Sequence, residues 1–329
     1  LNYTDEIIHT HFKKYHWYEE VSDYYQIINL LRVFQYCKTE STASFLYKQI
    51  NELFILDKQN DELFISQTKH MKVAIGFFGI TRSLSYTIES IRKNIFDVFE
   101  YNNIEYDVYI HYYNLGKFYF NKRADERMSD TSTHKKEYKL LKPKYIKSDN
   151  QEKILQRDKL KLKEYRKMKD PWNTNYQTVN NYILGSYSKY LLTKMIEENI
   201  DQYDYVMFMR PDCFYHDKLD LKFFDLVNDK SVVIPDTFCW GPYSINDRFA
   251  ITNKATYRIY GKIFEKLKEY SRKKPGLHSE TVLGKILVHE NKLDINRVKF
   301  DFSRIRINGR VEDKFDGKFE EDFVEKVTD

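Results

Sequence analysis

The chain has 329 residues, enough for one large α/β domain with an extension and for a substantial buried core. Lys and Arg number 54 against 49 Asp and Glu, and a net charge of +5 on so charged a chain does not indicate nucleic acid as the main partner. The three cysteines, Cys37, Cys213 and Cys239, are widely spaced and form no CxxC pair, which argues against a disulfide framework or a zinc cluster.

Hydropathy predicts no transmembrane segment. No apolar run approaches the ~20 residues that cross a bilayer, and the first residues lack the charged and apolar regions of a secretory signal. With the cysteine pattern, this predicts a cytoplasmic protein in a reducing compartment. The chain begins at Leu1 rather than at Met, which is compatible with its being part of a longer protein. Nothing in the sequence indicates the oligomeric state.

The spacing of apolar residues in the N-terminal part predicts helices. Apolar residues between Tyr3 and about Phe64 recur at helical spacing, as in Ile27, Leu31 and Phe34. We therefore expect a helical extension over residues 1–70 and a catalytic domain over residues 71–329.

From residue 71 the pattern changes to alternating strands and helices. The apolar run 72–79 predicts a strand, 83–101 an amphipathic helix, and 106–113 a second strand. Because the crossover is helical, the two strands are expected to pair in parallel. Residues 117–170 are dense in charge and predict a solvated or mobile insertion with a helix near 153–168. The alternative for this insertion is a surface that contacts an acidic ligand.

The second half of the chain continues the alternation. A long helix over 176–198 leads into a buried strand over 204–210. Further elements are expected as strands at 231–235 and 248–252, helices at 255–272 and from 279 onward, and a final strand near 298–307. This order predicts an α/β fold with a mostly parallel sheet.

A first candidate site follows the opening strand, at Gly76, Gly79, Thr81 and Arg82. Glycines allow close backbone approach, a helix N-terminus offers free N–H groups, and arginine binds phosphate in a bidentate way. The residues therefore suit a diphosphate, and they match neither GxGxxG nor a Walker A loop, which disfavours dinucleotide enzymes and phosphate-hydrolysing motors. The alternative is a tight turn with a surface arginine.

A second candidate site is Arg210-Pro211-Asp212, where a buried strand ends. Ligands of open α/β folds bind at this carboxyl edge of the sheet. A carboxylate there, together with substrate phosphates, could hold Mg²⁺ or Mn²⁺. The alternative is an ion pair between Arg210 and Asp212 that only ends the strand.

Two later segments carry further polar residues. Trp240 could stack on a sugar ring, and Asp247 could deprotonate a hydroxyl, although Asn246-Asp247-Arg248 is also compatible with a simple turn. His278 is a candidate ligand for a metal or diphosphate. Glu280 is a second candidate base, and its place near a helix N-terminus is favourable whatever the function.

Together these segments resemble the GT-A-like glycosyltransferases found in large DNA viruses and in bacterial polysaccharide loci. The resemblance covers residues 71–310, and the segments that carry it are 75–83, Arg210-Pro211-Asp212, 236–250 and 278–281. It implies a GT-A-like fold in which Arg210-Pro211-Asp212 takes the place of the family's Asp-x-Asp motif. Arg210 then stands where the first aspartate would be and could take over part of the metal's work.

We therefore expect transfer of a hexose or pentose from a nucleoside-diphosphate sugar to a hydroxyl of a glycan or glycoprotein. The expected catalytic bases are Asp247 or Glu280, and the expected Mn²⁺ or Mg²⁺ ligands are Asp212 and His278. Residues assigned to donor binding are Gly76, Gly79, Thr81, Arg82, Arg210, Asp212, Asp236, Trp240 and Arg248. Inversion and retention are not distinguished.

Two rival functions remain at this stage. A non-catalytic module would bind a nucleotide-sugar or carbohydrate without transferring it. Another nucleotide-dependent transferase would use a similar first turn, but a methyltransferase needs an acidic residue closing the second strand, and His111-Tyr112-Tyr113 does not supply one.

Overall fold

A computed structural model describes residues 71–312 apart from 117, 129–134, 171, 240, 241, 244 and 275. The chain divides into two compact units, Leu1–Lys69 and His70–Asp329, and the described residues belong to the second. The helices expected within residues 1–70 lie outside the described residues.

Strands account for much of the described chain. They are β1 (Lys72–Gly79), β2 (Glu105–Asn114), β3 (Tyr119–Asn121), β4 (Glu126–Met128), β5 (Tyr145–Asn150), β6 (Tyr205–Met209), β7 (Cys213–Tyr215), β8 (Ser231–Pro235), β9 (Phe249–Asn253), β10 (Asp294–Val298), β11 (Phe302–Ile305) and β12 (Val311–Glu312).

Helices alternate with these strands. They are α1 (Leu84–Ile91), α2 (Asp97–Tyr101), α3 (Gln151–Gln156), α4 (Gln177–Glu197), α5 (Tyr257–Gly261), α6 (Leu267–Tyr270) and α7 (Ser279–Gly284). A π-helical segment, Arg92–Phe96, joins α1 to α2, and another, Lys285–Glu290, extends α7. Short 3-10 helices occur at Glu137–Leu141, Leu162–Tyr165, Ile200–Gln202, Leu221–Leu226 and Ile263–Lys266.

Seven strands form the central sheet in the order β10-β8-β9-β6-β1-β2-β5. Neighbouring strands pair in parallel except at β9, which is antiparallel to both β6 and β8. The predicted α/β class is therefore confirmed, and the arrangement is consistent with a GT-A-like Rossmann-type fold. Strands β12, β11 and β7 form a second, antiparallel sheet, and β3 pairs with β4 as a hairpin.

The ends of β1 and β6 are neighbours, as the joint assignment of Gly79 and Arg210 to donor binding requires. These strands pair in parallel with Phe77 opposite Met209, so Gly79 and Arg210 emerge at the same edge of the sheet. Long runs of buried apolar residues define both strands, because a strand in the middle of this sheet is covered on its two faces.

Helix α4 covers β1 and β2 at the centre of the main core. Gly76 permits this packing, since a Cβ atom at this position would lie 2.8 Å from Leu192 Cδ2. Gly261 similarly lets α5 approach α4, where an added Cβ would lie 2.1 Å from Thr193 Oγ1.

Several predicted elements are wrong in detail. The charged insertion contains β5, an edge strand of the central sheet, whose polar sequence is typical of a strand with one exposed side. The helix expected over 153–168 stops at Gln156, because Asp158 and Lys161 take left-handed backbone conformations. The helix expected over 255–272 is broken after Gly261 by a 3-10 turn.

The expected final strand is divided between β10 and β11, which belong to different sheets. Within the described part of the chain, no helix combines the length and apolar character needed to cross a membrane.

The close approach of α5 to α4 predicts a strong effect of Gly261→Ala. We expect the free energy of unfolding to fall by about 1–3 kcal/mol, because the new methyl group overlaps Thr193 and lies 3.0 Å from Phe208. Urea denaturation followed by circular dichroism measures the change. Gly185→Ala is the matched control, since no atom lies within 4 Å of its added Cβ and Ala is the better helix former. Equal stability of the two variants would contradict this packing.

Candidate functional site

A cavity of about 220 Å³ opens at the carboxyl ends of β1 and β6. Its walls come from the β1 end, α4, the β3–β4 hairpin, the start of α7 and the segment after β11. Seven cationic side chains line it, namely Arg82, Arg123, Lys189, Arg210, Arg248, Arg304 and Arg306. The three lining carboxylates are Asp247, Glu280 and Glu312. The cavity is therefore suited to an anion.

Most residues that the sequence singles out line this cavity together. They are Gly79, Arg82, Arg210, Asp247, Arg248, His278 and Glu280. Trp240 lies outside the described residues. Gly76, Thr81, Asp212 and Asp236 are described but do not line the cavity. Segments that are far apart in sequence thus meet at one edge of the sheet.

The residues away from the cavity have other contacts. Gly76 lies beneath Leu192 of α4, and the Thr81 carbonyl accepts a hydrogen bond from Leu84 N in the turn that starts α1. Asp236 is exposed, and its N–H donates to the Val298 carbonyl. These contacts are structural, so we leave Gly76, Thr81 and Asp236 out of the proposed site.

The start of α1 is already bound to a carboxylate. Glu137 Oε2 accepts from Leu84 N at 3.0 Å, and its Oε1 accepts from Ser85 Oγ at 3.0 Å. The expectation that this helix offers free N–H groups to a diphosphate is therefore wrong at Leu84. Gly79 does border the cavity, in a positive-φ conformation (109°) that suits glycine, and its N–H donates to Ser188 Oγ.

Asp212 is fully buried and held by arginines. Arg210 donates to both of its carboxylate oxygens at 2.7 Å, Arg304 Nη2 lies 3.5 Å away and Arg82 Nη2 lies 4.0 Å away. Arg304 reaches it because β11 pairs with β7, which begins one residue after Asp212. Burial alone would raise the pKa of Asp212, but Arg210 and Arg304 hold it well below the usual aspartate range.

This environment does not fit a divalent cation. Both Asp212 oxygens are taken by Arg210, and a metal ion placed there would lie against several guanidinium groups. His278 Nδ1 lies 2.9 Å from Thr281 Oγ1 and its Nε2 lies 3.6 Å from Glu280 Oε2. Among the described residues, no group of three or more His, Cys, Asp and Glu side chains is placed to hold a metal ion.

Glu126 holds the β3–β4 hairpin over the site, a role that no local sequence pattern indicates. Its carboxylate is buried between Arg82, at 3.3 Å, and Arg306, at 3.4 Å, and it accepts from Ile307 N at 3.0 Å. Arg310 donates to the Ala124 carbonyl at 2.6 Å. The charge density of residues 117–170 predicts a solvated segment, and this is wrong for the hairpin because its charged groups pair with residues remote in sequence.

Asp247 is the more accessible of the two candidate bases. Its side chain is 23% exposed, against 7% for Glu280, and Arg248 Nη1 lies 3.1 Å from Asp247 and 3.8 Å from Glu280. Burial raises the pKa of Asp247, but Arg248, Arg210 and Lys189 outweigh it and lower the pKa below its usual value. Asp247 is therefore ionised at neutral pH.

Lys189 on α4 is a cavity residue that sequence reasoning missed. It is 2% exposed, and its Nζ lies 4.0 Å from the centre of the Tyr260 ring and 5.4 Å from that of Phe78. A signal was present, since Lys189 follows Ser186 by three residues and precedes Thr193 by four on the buried stripe of the helix. A lysine on a buried stripe indicates a specific environment.

A second polar cluster contains Ser188, His111 and Asp149. Ser188 Oγ lies 2.7 Å from His111 Nδ1, and His111 Nε2 lies 3.5 Å from Asp149. Their composition is that of a hydrolase triad, but Ser188 and His111 are fully buried and none of the three lines the cavity. Burial lowers the pKa of His111 to about 4, so this cluster joins α4 to the sheet as an uncharged imidazole contact.

Comparisons with known proteins add little to this geometry. No protein-family model matches the chain, and no curated protein matches its sequence. One solved structure that matches is described as a glycosyltransferase involved in the glycosylation of the major capsid of PBCV-1. The match is 6% identical, covers 70% of this chain and 82% of that chain, and has a TM-score of 0.34. A TM-score this low carries no argument about function.

The arginines around Asp212 predict a large effect of Asp212→Asn on stability. We expect the free energy of unfolding at neutral pH to fall by about 3–5 kcal/mol, because Arg210 and Arg304 lose a buried partner. Urea denaturation measures it, with the exposed Asp225→Asn as the control.

The same variant has a predicted pH dependence. Since the pKa of Asp212 is lowered in the folded protein, its pairing stabilises the fold above the ordinary aspartate pKa of about 4 and is lost as the pH falls further. The stability difference between wild type and Asp212→Asn should therefore shrink in acid. A difference independent of pH would argue against an ionised Asp212.

Proposed function

We propose that the chain is a glycosyltransferase that moves a sugar from a nucleoside-diphosphate sugar to a hydroxyl of a glycan or glycoprotein. The observation that carries this proposal is the convergence of seven cationic side chains and the ionised Asp247 on one cavity at the β1 and β6 ends. Cations there would bind the diphosphate, and the carboxylate would act on the acceptor.

The charge balance supports a pyrophosphate ligand. The seven lining cations exceed the three lining carboxylates and the buried Glu126 and Asp212 by two charges, counting Lys189 as protonated. The pyrophosphate diester of a nucleotide-sugar carries two negative charges. An anion in the cavity would supply the missing negative charge.

Space for the rest of the donor lies next to the cationic cavity. A groove of about 870 Å³ shares Tyr119, Gln151, Asn181 and Leu184 with it. Its aromatic and amide side chains suit the stacking and hydrogen bonding of a nucleoside. This groove lies beside the ends of β2 and β5. A nucleoside bound there would leave the sugar on the opposite side of the pyrophosphate, toward Asp247.

The chemistry assigned to Asp247 is proton removal from the acceptor. The acceptor oxygen forms a bond to the anomeric carbon, the carbon–oxygen bond to the phosphate breaks, and its electron pair leaves with the nucleoside diphosphate. The acceptor proton passes to the Asp247 carboxylate. Glu280 is less exposed and lies between His278 and Arg248, which suits it to holding these side chains in place.

The test is a panel of UDP-, GDP- and dTDP-sugars screened for binding by thermal shift, followed by measurement of released nucleoside diphosphate with and without oligosaccharide acceptors. Acceptor-dependent release supports the proposal. Binding of a nucleotide-sugar without release for any acceptor would instead identify a non-catalytic module. If no nucleotide-sugar binds, the proposed function is wrong.

Asp247→Asn should lower acceptor-dependent release by about 10²- to 10⁴-fold, because an amide cannot take the acceptor proton. Donor binding should persist, since the lining cations remain. Initial rates and donor affinity, measured on the same preparation, separate the two effects. Asp225→Asn is the control, and Glu280→Gln should be less impaired than Asp247→Asn. An Asp247→Asn enzyme of normal rate would remove Asp247 from this role.

A further inference from the structure

Lys189 differs from most of the other cavity cations in what surrounds it. Arg82, Arg210, Arg248, Arg304 and Arg306 each have a carboxylate oxygen within 4.0 Å, whereas the Arg123 guanidinium lies 5.2 Å from the centre of the Trp172 ring. For Lys189, no carboxylate of the described residues lies within that distance of Nζ, and the groups beside Nζ are the rings of Tyr260 and Phe78. A buried ammonium group held only by aromatic faces is incompletely compensated.

Few charged or titratable groups face Lys189. They are Arg210 after β6, Asp247 before β9 and Tyr260 on α5. Burial, opposed by Asp247 and assisted by Arg210, lowers the pKa of Lys189 to about 7. At neutral pH the side chain is thus poised between its charged and neutral forms.

We propose that Lys189 binds the pyrophosphate of the donor in the role usually given to a divalent cation, and that it takes up a proton as the donor binds. This inference rests on the proposed function. Arg210 occupies both oxygens of Asp212, the carboxylate expected to hold a metal, and the Nζ of Lys189 stands in the same cavity with no described carboxylate within 4.0 Å.

The chemistry of the transfer explains why such a cation is useful. As the bond between the anomeric carbon and the phosphate oxygen breaks, the departing diphosphate gains one negative charge. Lys189 would donate a hydrogen bond to that oxygen and keep its proton, while the acceptor proton goes to Asp247. The developing charge is then stabilised by a group already in place.

Proton uptake on the unmodified protein is the first test. UDP-glucose and GDP-mannose are suitable probes, because their pyrophosphate diesters have no group that titrates near neutrality. Isothermal titration in Hepes and in Tris, whose heats of ionisation differ, gives the protons bound. With a free pKa of about 7, uptake should rise from near zero at about pH 6, through about half a proton at pH 7, toward one at about pH 8. Affinity should fall over the same range.

Variants assign the proton to this side chain. Lys189→Met should weaken donor binding about 10- to 100-fold and abolish proton uptake above pH 7, because the charged contact is lost. Lys189→Arg should bind the donor without taking up a proton, since guanidinium is always charged. Lys194→Met on the same helix is the control, because Lys194 is exposed and pairs with Glu197 at 3.4 Å.

Chelation separates this inference from the proposed function. Binding and transfer that are unchanged in EDTA, with uptake lost in Lys189→Met, support the inference. Transfer that requires Mn²⁺, or proton uptake that persists in Lys189→Met, would overturn it while leaving the glycosyltransferase proposal in place. Failure of both probes and of the whole nucleotide-sugar panel to bind would overturn both.

Discussion

The buried Asp212 carboxylate is the contact on which the site depends. Three arginines reach it from separate segments: Arg82 after β1, Arg210 after β6 and Arg304 in β11. A buried carboxylate lowers the stability of the fold unless it is paired, so loss of its arginine contacts would strongly destabilise the protein. Asp212 therefore fixes the relative positions of two strand ends and of the second sheet, and with them the cationic wall of the cavity.

Glu126 is a second buried carboxylate with the same effect. It pairs with Arg82 and Arg306, so Arg82 is shared between the two buried carboxylates. The arginines line the cavity, whereas Asp212 and Glu126 do not. The excess positive charge therefore faces the cavity. Such a wall is organised before any ligand arrives, and an anion that enters it needs little reorganisation of the protein.

The sequence was most informative where burial on two faces leaves an unbroken apolar run. Strands β1, β2, β6 and β8 and helix α4 were predictable on this basis, as was the meeting of Gly79 and Arg210 at one edge. Edge strand β5 was not, because its exposed side makes it resemble a charged loop. The contacts of Glu126 and Asp212 could not be predicted either, since local patterns do not show which of several arginines, remote in sequence, a carboxylate pairs with.

The cavity combines two kinds of positive charge. Arginines stay protonated whatever occupies the site, and even Arg306, whose pKa burial lowers to about 10, is charged at neutral pH. Their charge is a constant part of the cavity, balanced largely by Asp212, Glu126 and Glu312. Lys189 is the lining cation whose charge can follow the ligand, because its protonated form is disfavoured by burial and favoured by a nearby anion. An empty cavity then avoids part of the cost of a buried, uncompensated charge, and the full positive charge develops only when an anion is present to interact with it.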